Sequence, residues 1–232
     1  MNEELRARPL VFVDNLANPI LDPKDYAHLS RSLRLSDGAA ITVGDGKGSW
    51  CLARLGQQAE VESEICSDTP RNSKTAVGFV PVKGDRTEWV VQKLTEIGVD
   101  EILILTSERA VVHWDKQRLA KKLAKLETVA RQACMQARRL QIPEVSGVYS
   151  IGEAHSMRPD AAIADPDACR PAFETTTILI GPEGGFTSQE IQSVPTVVLP
   201  GHILRAETGA VVAGALLELA RSSVALGGQV SL

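Results

Sequence analysis

The stretch "ILIGPEGGFTSQEI", Ile178 to Ile191, interrupts a β-branched apolar run with glycines and one carboxylate, then restarts as a helix. Glycine lets a main chain approach a ligand closely and take positive φ, and Pro182 stiffens the turn. Thr187 and Glu190 have the S/T-x-x-E spacing of a capping box, which marks the helix start. A phosphate suits this loop poorly. It lacks the G-K-[ST] ending of a P-loop and the G-x-G-x-x-G of a dinucleotide site, and Glu183 would repel an anion. The residue types favour a neutral or cationic ligand held largely by backbone groups, with an unliganded tight turn as the plain alternative.

A second stretch, "LPGHILRAETGAVVAGALL", runs from Leu199 to Leu217. Its helix is rich in small residues (Ala206, Gly209, Ala210, Ala213, Gly214, Ala215), which let another backbone come close. Gly209 and Gly214 each cost about 1 kcal/mol against alanine inside a helix, so packing or ligand access is expected to require them. Arg205 stands between Ile203–Leu204 and the helix start, an odd place for an exposed arginine, and its charge is expected to have a specific partner.

The elements that position these stretches follow from periodicity. Residues 1 to 73 read as β-rich, with strands at "LVFV", "AAITVGD", "SWCLARL" and "EVESEIC" separated by Gly/Asp turns, which suggests a small barrel or sandwich. The polar, proline-containing "SDTPRNSK" reads as a linker, so the expected domains are 1–73 and 74–232. Beyond it, strands "TAVGFVPV", "DEILILT", "AAIA", "TTILI" and "TVVL" alternate with helices. These are "GDRTEWVVQKLTEIGV", with Asp85 and Glu88 as capping box and Trp89, Leu94 and Ile97 apolar, then "DKQRLAKKLAKLETVARQACMQARRL", "TSQEIQS" and the final small-residue helix. The alternation predicts an α/β domain with a largely parallel sheet covered on both faces, and ligands bind beyond the carboxyl ends of such strands.

Composition sets the outer limits. The 232 residues are 44% hydrophobic and 23% charged, ordinary for a globular protein. No apolar run reaches a membrane span and the N-terminus lacks a signal-peptide core, so a cytoplasmic location is expected. Four scattered cysteines and four histidines show no metal-ligand spacing; no metal is expected, and the thiols read as buried and reduced. The net charge of −4 hides a basic tract, in which Lys116, Arg118, Lys121, Lys122, Lys125, Arg131, Arg138 and Arg139 face one acid, Glu127. That tract is either a solvated helix face or a stripe that tracks a nucleic-acid backbone.

"LIGPEGGFTSQEI" followed by "LPGHILRAETGAV" resembles the two signature blocks of the SPOUT-class RNA methyltransferases. More narrowly, it is similar to the family that methylates N3 of a uridine in small-subunit (16S) ribosomal RNA. "HLSRSLRLSDG" with "VGDGKG" resembles that family's N-terminal PUA-like barrel. "KGDRTEWVVQKLTEIGVDEILILTSERA" and "ARQACMQARRLQIPEV" resemble its intervening blocks, in order along most of the chain. Three positions depart from the pattern: Pro200 precedes Gly201, His202 takes the place of an arginine, and Gly209 follows Glu-Thr.

The resemblance implies a trefoil-knotted C-terminal α/β domain, a PUA-like RNA-binding domain, a homodimer, and ribosomal RNA or an assembled small subunit as partner. It implies S-adenosylmethionine held by Ile180, Gly181, Pro182, Glu183, Gly184 and Gly185, by Leu199 and Gly201, and by Ile203, Leu204 and Thr208. Arg205 would stabilise a uracil anion, with Glu183 or Glu207 accepting the N3 proton. Arg34, Arg86, Lys93, Arg109, Arg131 and Arg138 would meet RNA phosphates. A non-catalytic RNA-binding or ribosome-assembly factor, and a nucleotide-dependent enzyme using the glycine loop for phosphate, are the rival readings.

Overall fold

A computed structural model describes residues 3–68, 73–192 and 194–225. The chain divides into two compact units, residues 1–71 with 131–142 and residues 72–130 with 143–232. Part of the expected linker, residues 69–72, lies outside the described residues.

The first unit contains α1 (Glu3–Ala7), β1 (Leu10–Phe12), α2 (Pro23–Ala27), β2 (Ala40–Gly44), β3 (Ser49–Arg54), β4 (Glu60–Val61) and β5 (Cys66–Ser67). Its sheet runs β1-β2-β3-β4, with β5 also on β3; β1 and β2 are parallel and the other pairs antiparallel. The single strand expected at 60–66 is therefore two short ones. The Leu52 amide donates to Ser63 Oγ at 2.9 Å, so a side chain takes a place in the ladder and the backbone leaves the sheet before pairing again. Alternate residues Ile41, Val43, Cys51 and Ala53 are fully buried, as one covered sheet face requires. Cys134, Met135 and Leu140 complete this core, which is why 131–142 folds with the N-terminal residues.

The second unit contains β6 (Ala76–Phe79), α3 (Arg86–Ile97), β7 (Glu101–Leu105), α4 (Lys116–Ala137, its residues from 131 on belonging to the first unit), β8 (Glu144–Tyr149), α5 (Ile151–Met157), β9 (Ala162–Ala164), β10 (Thr177–Ile180), α6 (Ser188–Ile191), β11 (Thr196–Val197) and α7 (Ala206–Ala225). The strands form one sheet in the order β11-β9-β10-β6-β7-β8, parallel throughout. Such a sheet must be covered on both faces. Leu103, Leu105, Ile163 and Leu179 pack with Ile151 and Ala154 of α5, whereas α7 lies on β6 and β10 and packs against α3.

Four expectations need correction. Strand β8 and helix α5 have no counterpart in the sequence reading, although Ser150 and Glu153 form a complete capping box there. Asp85 makes no side-chain cap bond; instead Thr87 Oγ1 accepts from the Val82 amide at 3.1 Å and donates to the Val82 carbonyl at 3.0 Å, while Glu88 turns to Lys125 at 2.6 Å. Trp89 is 42% exposed, and the buried side of α3 is Val90, Val91 and Leu94. Cys51 and Cys134 are buried but Cys66 and Cys169 are exposed, all four free; burial pushes the Cys134 thiol up to about 11.

Candidate functional site

Because the six strands are parallel, the segments following β9, β10 and β11 gather at one sheet edge, where a cavity of about 780 Å³ opens between them. Its floor comes from strand ends. Ile180 passes directly into Gly181, and a Cβ on Gly181 would stand 3.1 Å from the Phe186 ring. Gly185, at φ +66°, closes the turn through its amide on the Pro182 carbonyl at 2.8 Å. Gly201, at φ +107°, lets the second loop fold back with Leu204 beside it.

The first loop is braced from outside the cavity. Arg109 Nη1 donates to the Gly184 carbonyl at 2.9 Å and to that of Phe186 at 3.4 Å. Thr187 and Glu190 form the capping box read from the sequence. Glu190 also accepts from the Glu108 amide at 3.1 Å and from Ser107 Oγ at 3.4 Å. Burial works against ionising Glu190, but the Thr187 and Glu108 amides outweigh it and hold the carboxyl below the usual range. The turn after β7 and the turn after β10 are thereby fixed to each other.

Of the expected ligand residues, Ile180, Gly181, Pro182, Glu183 and Gly185 line the cavity from the first loop, and Leu199, Gly201, Ile203, Leu204 and Arg205 from the second. Gly184, Thr208 and Glu207 do not. Gly184 serves Arg109, and Thr208 is exposed on the first turn of α7. Glu207 is paired with Arg86 at 3.3 Å, its side chain 13% exposed and its Oε2 buried without a partner. The partner expected for Arg205 is absent: the side chain is exposed, with no hydrogen bond or ion pair among the described residues. It stands at the rim of a cavity, where a ligand rather than the fold would meet it. Sequence reasoning missed Asp165 and Pro166 after β9, together with Phe186. The strand "AAIA" was legible, and the rule that ligands sit beyond strand carboxyl ends applied to it equally. Gly214 packs tightly, its notional Cβ 2.7 Å from Leu94 and 3.1 Å from Val99, whereas Gly209 has 3.6 Å to Ile180 and borders the cavity.

Residues 69–218 match the family model of an RNA methyltransferase domain, and residues 21–57 that of an RNA methyltransferase PUA domain. The chain belongs to the RNA methyltransferase family. It is 28% identical over 233 residues to ribosomal RNA small subunit methyltransferase E of Mycobacterium bovis, covering 88% of each chain. Among solved structures it resembles that of the Neisseria gonorrhoeae ribosomal RNA small subunit methyltransferase E bound to S-adenosylmethionine, with TM-score 0.76, 30% identity, and 91% of this chain and 97% of that one covered. It also resembles a Legionella pneumophila chain described as a methyltransferase in complex with S-adenosylmethionine, with TM-score 0.80, 26% identity, and coverage of 92% and 98%.

In this RNA methyltransferase the six cations read as phosphate contacts are mostly engaged within the fold. Arg86 pairs with Glu207, and Lys93 with Glu96 at 2.7 Å. Arg109 holds the glycine loop. Arg131 pairs with Asp25 at 2.6 Å, donates to the Phe12 carbonyl at 3.0 Å and stacks over the Phe12 ring. Arg138, at φ +59°, donates to the Met135 carbonyl at 2.6 Å, and burial pulls its guanidinium pKa down. Arg34 is exposed at φ +55°, and among the described residues its side chain has no partner.

Proposed function

We propose that the chain methylates N3 of a uridine in small-subunit ribosomal RNA, with S-adenosylmethionine as methyl donor. The observation that carries this is the two-loop cavity itself, in a chain of the RNA methyltransferase family whose relatives are named for that RNA and solved with that donor. The donor set fits. Ile163, Ile180, Phe186 and Leu199 offer apolar walls for an adenine, the glycine turns present main-chain groups, and Asp165 and Glu183 are the carboxylates a cationic ligand favours. When bound, S-adenosylmethionine supplies an electrophilic methyl group on a sulfonium.

Neutral uridine carries a proton on N3 and has no free lone pair there. That proton must leave as the N–C bond forms, and the negative charge on the two flanking carbonyl oxygens must be stabilised. Arg205, exposed at the cavity and without a side-chain partner among the described residues, is assigned that stabilising role. Glu183, which lines the cavity, is assigned the proton; Glu207, held by Arg86, is assigned to brace the start of α7. A base buried in a helix would have to be flipped out to reach them. Residues 1–73 are assigned to RNA binding and 74–232 to catalysis. A knotted backbone and a homodimer belong to the same reading.

The test is nucleoside mapping of small-subunit ribosomal RNA from cells with and without the protein. One N3-methyluridine should vanish with the gene and return with the purified enzyme and donor in vitro. An unchanged modification map would overturn the reading.

A further inference from the structure

A second recess, of about 260 Å³, lies among the segments after β6 and β7 and the exposed side of α4. All the strands being parallel, it opens at the same edge of the sheet as the methylation cavity. Lys83, Lys122 and Lys125 line it, with Glu88 and Trp114. Lys122 Nζ lies 5.2 Å from the Trp114 ring centroid, so the indole holds that ammonium in place by cation–π attraction. Lys125 pairs with Glu88 at 2.6 Å, and Lys122 acts on the same carboxylate only at longer range, so among the described residues neither Lys83 nor Lys122 makes a close ion pair. Three ammonium groups line the recess with one carboxylate, and Asp85 acts on Lys125 from nearby, so the balance of charge favours an anion. Its volume falls below the roughly 300–1,000 Å³ of small-molecule pockets, which suits a group protruding from a polymer better than a free metabolite.

We infer that this recess binds a backbone phosphate of the RNA strand beside the nucleotide being methylated, through Lys83 and Lys122, with Trp114 fixing Lys122. The inference rests on the proposed RNA substrate and adds a subsite to it. Glu88 moderates the site: it engages Lys125 and repels the same phosphate.

The experiment titrates the full chain with a single-stranded RNA spanning the modified uridine, at several salt concentrations, alongside calorimetry with S-adenosylmethionine. The double variant Lys83→Ala/Lys122→Ala should bind RNA about tenfold more weakly near 0.15 M salt, with a log–log salt slope smaller by about 0.7, one single-strand phosphate contact. Its affinity for S-adenosylmethionine should match the wild type. Glu88→Gln should act in the opposite sense and tighten RNA binding, which a purely structural role for these side chains would not produce. Wild-type RNA affinity and slope in the double variant, or weaker binding in Glu88→Gln, would overturn the subsite alone. A wild-type protein that binds the donor but no RNA would overturn the functional reading and this subsite together.

Discussion

Arg109 and Arg205 stand near the same glycine loop and are used in opposite ways. Arg109 directs Nη1 to two loop carbonyls, so it shapes the cavity. Arg205 has no partner among the described residues and borders the open volume. A charge left unpaired by the fold and placed at a ligand cavity is available for the charge that develops during reaction. Arg205→Ala is therefore expected to lower single-turnover methylation by about 10²–10³-fold, the range for loss of one such donor, with little change in S-adenosylmethionine affinity by calorimetry. Methylation at the wild-type rate in that variant would remove Arg205 from the mechanism.

At the scale of elements, α6 and α7 carry the two loops, and each is anchored by a different force. Helix α6 depends on an ionised carboxylate. Glu190 titrates below its usual range because the amides it accepts outweigh the cost of burial. A depressed folded pKa contributes stability that is present above the unfolded value, about 4.3, and is lost as pH falls through the folded value. Glu190→Gln should thus lower the urea midpoint at pH 7 and converge with wild type under strong acid. A gap that stays constant with pH would exclude the charge as the cause. Helix α7 instead depends on close packing. Gly214→Ala inserts a methyl 2.7 Å from Leu94 and should destabilise by about 1–3 kcal/mol for overpacking, less the helix propensity gained. Gly209→Ala meets only an ordinary 3.6 Å contact and should be neutral or stabilising by up to about 1 kcal/mol. Thermal melts of the pair would show both signs, and equal destabilisation would mean that α7 packs otherwise.

For the whole molecule, the two compact units do not correspond to one cut in the chain, since residues 131–142 complete the first core. The basic tract on α4 accordingly serves two ends. Arg131 ties its own unit together through Asp25, whereas Lys122 and Lys125 line a recess in the other. Among the described residues no helix is long and apolar enough to cross a membrane. The second unit nevertheless exposes large apolar side chains, with Ile203 at 88%, Leu219 at 52% and Trp89 at 42%. A second copy of the chain could cover such side chains, and a dimer is the outcome expected in sedimentation equilibrium at micromolar concentration. A monomer that methylates RNA at full rate would show that the exposed groups serve something else.

The sequence by itself determined whatever depends on neighbours along the chain. The parallel α/β alternation, the Thr187–Glu190 capping box and the turn-forming glycines at 185 and 201 are local, so residue type and spacing were enough to find them. The Asp85 cap failed because Thr87 bound Val82 and Glu88 found Lys125, a partner 37 residues away. Arg131 read as surface charge until the fold brought Asp25 and Phe12 to it. Asp165 entered the cavity only once β9 had taken its place between β10 and β11. Tertiary structure decided these because charge pairing and cavity shape depend on distances through space, which chain order does not encode.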